Sequence, residues 1–241
     1  MARVYPTEKL LGKVIEDLRD FLPYLVLVGG WIPYLYQKHV WPPELTGEKP
    51  GTGAVQASTP LSTTDMDFGV TLAAYPGAES IADRVRKLGY GERHVSMARM
   101  IPFVPIARGK GENEKAEVEF ITVLNPPKHV HEKLVGREIK INNIKHFEIL
   151  LENARKISFY SQEVQIPTEA AFVFHKLLTF VLRKNEDKKR EEGKKVINNI
   201  KTFFAHKDAK GPVFIEMEIG TDYFIRNVRS DAYERIKPLI E

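Results

Sequence analysis

Three features of the sequence predict an α/β fold: an N-terminal mixed sheet flanked by helices, followed by a mainly helical C-terminal part. The run Leu25-Val26-Leu27-Val28 is apolar throughout, as a strand buried on both faces must be, and it runs into Gly29-Gly30. Between Thr63 and Phe68, acidic Asp65 and Asp67 alternate with apolar Met66 and Phe68 in the two-residue period of a strand. Leu10, Leu11, Val14, Ile15 and Leu18 recur at helical spacing and predict a helix over residues 7–22, with Thr7 as N-cap and Pro23 as the stop.

The remaining elements follow in order. Residues 24–28 form the first strand, and Trp31 to Tyr36 a short helix after the glycines. Pro42, Pro43, Gly47, Pro50, Gly51 and Gly53 oppose regular structure, so residues 37–62 read as a long irregular loop. Thr64 to Leu72 is the acid-bearing strand. A helix over 78–88 sets Ile81, Val85 and Leu88 on one face, with Gly89 as its stop. Strands over 92–96 and 100–107 precede a turn at Gly109 to Asn113. In the next strand, 115–124, Ala116, Val118 and Phe120 alternate with Glu117 and Glu119. Asn125-Pro126-Pro127 breaks the sheet and predicts a domain boundary, giving a catalytic domain over 1–127 and a helical subdomain over 128–241. Residues 128–133, with His129 and His131, read as a surface loop. Thr168 caps a helix running to about Lys184 that is apolar nearly all round and so reads as buried. Its Lys176 and Arg183 lie seven residues apart, nearly in line, with Thr179 close to the same stripe, while His175 reads as a packing residue. A charge run over 185–195, an amphipathic helix over 196–204 and a closing helical segment over 212–241 complete the chain.

Residues two apart in a strand share a face, so Asp65 and Asp67 project together. Paired carboxylates repel unless a cation lies between them, and they suit Mg²⁺, a hard ion that often shares its oxygen ligands with phosphates. A Gly-Gly turn at a helix start exposes backbone N–H groups to an anion. Cradle and acid pair together suggest chemistry on a nucleoside triphosphate.

This order of motifs resembles the nucleotidyltransferase superfamily related to DNA polymerase beta, in which Gly-Gly or Gly-Ser at a helix start precedes hydrophobic-Asp-hydrophobic-Asp and a third acid on a neighbouring strand. Here Gly29-Gly30-Trp31 and Asp65-Met66-Asp67 fill the first two places. Val118-Glu119-Phe120 fits the third, with Glu117 as the alternative. The segment Asn143 to Leu151, then Ile166-Pro167 and Phe174-His175-Lys176-Leu177, is similar to the AbiEii-like and Gly-Gly-Trp bacterial groups. The resemblance implies the polymerase-beta-like sheet with a helical subdomain closing a nucleotide cleft. It implies transfer of a nucleoside monophosphate from a triphosphate to a hydroxyl on RNA or tRNA, protein or a small molecule. Asp65, Asp67 and Glu119 would be the catalytic, metal-holding acids with Mg²⁺ or Mn²⁺, and Gly29, Gly30, Ser62, Thr63, Thr64, Lys176 and Arg183 the nucleotide contacts. Two places depart from the pattern. Leu61 to Thr64 lack the basic residue many relatives carry before the acids, and Lys194-Lys195 stands where Lys-Asp is usual. These departures leave room for a catalytically degenerate nucleotide-binding or toxin–antitoxin-type interaction module with the same fold.

Composition narrows the remaining classes. The 241 residues contain no cysteine, which removes disulfides, thiol catalysis and Cys-type zinc sites. No apolar run approaches a membrane span, and the first residues lack an apolar signal core, so a cytoplasmic location without membrane contact is expected. A net charge of +4 is compatible with a nucleic-acid partner without requiring one.

Overall fold

The computed structural model describes residues 6–40, 65–107, 113–180, 234 and 237. The expectations for 41–64, the 109–112 part of the turn, and the segments 185–195, 196–204 and 212–241 lie outside the described residues, apart from the isolated positions Glu234 and Lys237. The elements are α1 (Pro6–Asp17), β1 (Leu25–Val28), α2 (Ile32–Leu35), β2 (Met66–Val70), α3 (Ile81–Lys87), β3 (Gly91–Ser96), β4 (Arg99–Ala107), β5 (Asn113–Thr122), β6 (Ile141–Asn143), α4 (Glu148–Glu152), β7 (Ala154–Phe159), β8 (Gln162–Pro167) and α5 (Glu169–Phe180). This is the expected α/β class: an eight-stranded mixed sheet in the order β3-β4-β5-β2-β1-β8-β7, with β6 beside β5, and helices flanking it.

α1 buries Leu11, Val14 and Ile15 completely, Leu18 just after it is buried too, and Leu10, the first residue of the predicted stripe, is half-buried. The helix stops earlier than the expected Leu22: in a continued α-helix Pro23 would offer no N–H to the Arg19 carbonyl and its ring would clash with it, and Arg19–Tyr24 tighten into a 3-10 turn instead. β1 follows with all four residues buried. After the glycines, the expected helix is a patchwork of a 3-10 turn (Gly29–Trp31), one α-turn (α2) and a π-turn (Tyr36–Val40), so regular backbone reaches into the stretch read as a loop.

β1 and β2 are antiparallel, with Val28 opposite Asp67, and β2 and β5 are parallel, with Asp67 opposite Glu119. One face of these strands carries Met66, Phe68, Val118 and Phe120, each at most 1% exposed, and the Phe68 and Phe120 rings stack with centroids 6.1 Å apart. The alternation read from the sequence is therefore present in both strands. On the other face, α4 covers the far end of β2. Gly69 permits this approach, since a Cβ there would lie 2.9 Å from Leu151 Cδ2 and 3.0 Å from Phe147 Cε1. The near end of the same face, two residues back, carries Asp67.

α3 starts at Ile81 rather than 78 because Ser80 caps it. Ser80 Oγ accepts from Asp83 N at 3.2 Å, and Ser80 N donates to Asp83 Oδ2 at 3.1 Å. Hydrogen bonds from the Ser80 hydroxyl and then its backbone hold the Asp83 carboxyl below its ordinary pKa. Ser80→Ala should cost about 1 kcal/mol, and calorimetry should register it as a melting temperature lowered by about 2–4 °C. Leu88, expected on the apolar face of this helix, is 45% exposed, because Gly89 ends the helix in the left-handed region (φ +74°) just beyond it.

The boundary expected at 127/128 is not where the compact units divide. They are Met1–Pro167 and Thr168–Glu241. The physical reason is strand pairing: β6 extends β5 in parallel, β8 pairs with β1, and β7 closes an antiparallel hairpin with β8. Asn125-Pro126-Pro127 is a turn within the first unit, and residues 141–167 are largely strand rather than helical. Gln165 Nε2 secures β8 by donating to the carbonyls of Pro23 at 3.1 Å and of Leu22 and Leu25 at 3.3 Å. His129 and His131 sit at a π-helical turn, Val130–Val135, rather than in a loop. His129 Nε2 is 3.2 Å from the Leu72 carbonyl, and burial, then Arg99, pushes the pKa of His131 down. Among the described residues, no helix is long and apolar enough to cross a membrane.

In the second unit, Thr168 caps α5 as expected: its carbonyl accepts from Phe172 N at 2.9 Å and its Oγ1 from Ala171 N at 3.4 Å. α5 is not buried all round. Ala170, Ala171, Phe174 and Leu178 are buried, while Val173 and Lys176, three residues apart, face solvent.

Candidate functional site

The site is built where β1 ends and β2 begins. Antiparallel pairing brings the turn after Val28 beside the start of β2, so Gly29 meets Asp67 at close range. Gly29 has φ +79°, and a Cβ on it would lie 2.0 Å from Asp67 Oδ2 and 2.9 Å from its Cγ. Only glycine combines that left-handed backbone with that approach. The glycine the sequence singles out is thus shaped around the carboxylate the sequence singles out.

Parallel pairing then supplies the third acid. Residues opposite one another on neighbouring strands share a face, and strands lie about 4.8 Å apart. Glu119 therefore stands beside Asp67, and both are half-buried. Asp65 lies one residue before the start of β2 and is exposed. Glu117 shares the face of Glu119 but is engaged elsewhere: Arg93 Nη2, on β3, lies 2.7 Å from its Oε2. Glu119 Oε2 accepts from Asn142 Nδ2, on β6, at 3.1 Å. Arg93 and Asn142 escape sequence reasoning, because only the pairing of β3 and β6 with their neighbours brings them to the acids.

The arrangement gathers oxygen donors on one open end of a sheet face, a set that suits a hard divalent cation. Three carboxylates do not converge on a single point: among the described residues, no group of three His, Cys, Asp or Glu side chains is close enough to hold a metal ion. What the sheet fixes is the shared face and register of Asp67 and Glu119.

The other expected contacts divide in two. Ser62, Thr63, Thr64 and Arg183 lie outside the described residues, as do Lys194 and Lys195. Lys176 lies in the second unit, exposed on α5, with Nζ 5.4 Å from the centroid of the Phe172 ring. Thr179, close to the same stripe, donates from Oγ1 back to the His175 carbonyl at 2.9 Å, and His175 is buried.

No family model matches the chain, and no curated protein matches it. Among solved structures, it is similar to an antigenic nucleotidyltransferase-like protein from Paracoccidioides brasiliensis, at 12% identity and a TM-score of 0.43, over 76% of this chain and 70% of that one.

Proposed function

We propose that the chain is a metal-dependent nucleotidyltransferase of the polymerase-beta-like superfamily, allied to its AbiEii-like branch. It would move a nucleoside monophosphate from a triphosphate to a hydroxyl acceptor and release pyrophosphate. The observation that carries this reading is the register that sets Asp67 beside Glu119, with Gly29 fitted against Asp67.

Asp65, Asp67 and Glu119 are the residues to hold Mg²⁺ or Mn²⁺, which when bound supplies charge stabilisation at the attacking and leaving oxygens. The chain's own part is positioning. Backbone N–H groups at Gly29 and Gly30 face the phosphates, and Ser62, Thr63 and Thr64 offer hydroxyls to them. Lys176 and Arg183 are the residues expected to lend positive charge to the triphosphate. The acceptor is RNA or tRNA, protein or a small molecule, and a net charge of +4 favours the nucleic acids.

A second reading, a degenerate nucleotide-binding or toxin–antitoxin-type module, is favoured by the unconverged acids and by Lys194-Lys195. One measurement separates the two. Each ribonucleoside triphosphate is tested for thermal stabilisation, with and without Mg²⁺, in the wild type and Asp67→Asn. A ligand at a hundredfold excess over Kd contributes about 2.7 kcal/mol, which for a chain of this size raises the melting temperature by roughly 5–10 °C. Mg²⁺-dependent stabilisation that Asp67→Asn removes is the expected result. Stabilisation indifferent to Mg²⁺ and to Asp67 favours the degenerate module, and none at all removes the triphosphate from the reading.

A further inference from the structure

The surface beside β6 carries positive charge that the neighbouring acids do not answer. Residues 128–145 hold Lys128, Lys133, Arg137, Lys140 and Lys145 against Glu132 and Glu138. Both acids are already engaged by arginines. Arg137 Nη2 lies 2.7 Å from Glu132 Oε1, and Arg86 Nη1 lies 3.7 Å from Glu138 Oε1. Among the described residues, the four lysines have no acid partner, and neither does Arg99 at the start of β4.

Backbone pairing draws three of these cations together. Met100 and Ile139 form a parallel bridge, in which Met100 N donates to the Glu138 carbonyl at 2.8 Å and Lys140 N to the Met100 carbonyl at 2.9 Å. Arg99 therefore flanks the stretch that carries Lys140. It also adds to the burial that lowers the pKa of His131, which sets it near the turn Val130–Val135 that holds Lys133. Ile139 and Ile141 are buried, and Ile141 stands opposite the core residue Phe120, so Lys140, half-buried between them, turns to the other face. Asn142, two residues on, donates from that face to Glu119 at 3.1 Å. The basic strip thus runs from the β3–β4 hairpin up to the candidate site.

Like charges gathered on neighbouring segments raise a shared positive field, and a polyanion that meets them releases its own counterions. The hairpin adds apolar surface: residues 92–99 are all exposed, Met97 fully. Positive charge beside one bare methionine suits a polymer of phosphates and bases, whereas surface binding to a bilayer needs a broad apolar face.

We propose that an RNA strand docks on this strip by its phosphates, with Arg99, Lys133 and Lys140 as the principal contacts. The role of that strand as acceptor rests on the function proposed above; the docking does not.

The test is fluorescence anisotropy of a labelled single-stranded RNA of mixed sequence with the full chain, in EDTA and without triphosphate, so that neither metal nor transfer is required. Each phosphate contact on a single strand contributes about −0.7 to the slope of log K against log salt, so the wild type should show a slope of about −2 or steeper. Arg99→Gln, Lys133→Gln and Lys140→Gln together should flatten it by about 2 and weaken binding about tenfold or more at low salt. Arg99→Gln with Lys133→Gln, both at exposed positions, should flatten it by about 1.4, which keeps the test decisive if the triple variant fails to fold. A control that removes the same charge from α1 and β7, Lys9→Gln with Lys13→Gln and Lys156→Gln, should leave the slope within about 0.5 of the wild type. No RNA binding by the wild type, equal loss in the control, or polyglutamate or phosphatidylserine vesicles bound as tightly as RNA overturns the docking. If Mg²⁺-dependent stabilisation by a triphosphate persists in that case, the function stands with another acceptor. RNA bound through the strip by a chain that no triphosphate stabilises overturns the function and upholds the docking.

Discussion

Gly29→Ala should abolish Mg²⁺-dependent stabilisation by nucleoside triphosphates while the protein stays folded. The substitution meets two separate obstacles. Left-handed backbone at φ +79° costs an L-residue roughly 1–2 kcal/mol. The new methyl also lies 2.0 Å from Asp67 Oδ2, far inside van der Waals contact. Asp67 has a short side chain near solvent and yields by turning its carboxylate away, so the collision falls on the site more than on the core. The melting temperature should fall by roughly 2–8 °C on account of the backbone, with Mn²⁺ and triphosphate affinity lost outright. A double-mutant cycle makes the point sharper. Placed in an Asp67→Ala background, Gly29→Ala should cost measurably less stability, with a coupling of about 0.5 kcal/mol or more. Strict additivity would show that the two residues do not meet in solution.

Asp67→Asn is expected to reduce pyrophosphate release at least about a thousandfold, because several kcal/mol of transition-state charge stabilisation depend on the ion it helps to hold. Stability should be unchanged or slightly higher, since one of several neighbouring carboxylates is neutralised. The assay uses whichever triphosphate stabilises the wild type best, with RNA, protein and small hydroxyl acceptors offered in turn. Turnover retained within tenfold would remove Asp67 from the catalytic role, whatever the nucleotide-binding result.

The parts of this site that follow a local rule were legible in the sequence. Strand alternation put Val118 and Phe120 inside and the two glutamates together on the opposite face, and both statements hold in the structure. The apolar run of β1 was legible for the same reason. Which glutamate stands across from Asp67 depends on the β2–β5 register, and no short-range pattern encodes a register between distant strands. The partners of the glutamates were hidden likewise, since Arg93 and Asn142 come from β3 and β6. The misplaced boundary has a local cause. Asn125-Pro126-Pro127 gave a loud turn signal, whereas the hairpin uniting β7 and β8 turns on Tyr160-Ser161. Both residues sit at positive φ, 50° and 61°, without the Asn-Gly or Asp-Gly that usually announces such a turn. Helix type after Gly30 was also illegible, because 3-10, α and π turns share one apolar spacing over so few residues.

The place of β8 beside β1 sets a schedule for synthesis. A ribosome releases Leu25–Val28 early, and β2 can join one side of that strand as soon as residues 66–70 emerge. The other side waits for Gln162–Pro167, the last strand of the unit to be made. Throughout that interval the nascent chain carries an entirely apolar strand with one row of backbone groups unclaimed, the kind of edge that recruits a strand from a neighbouring chain. Translation halted shortly before Gln162 would thus leave the acids already in place and the molecule prone to aggregate, and completing one short hairpin would remove the hazard.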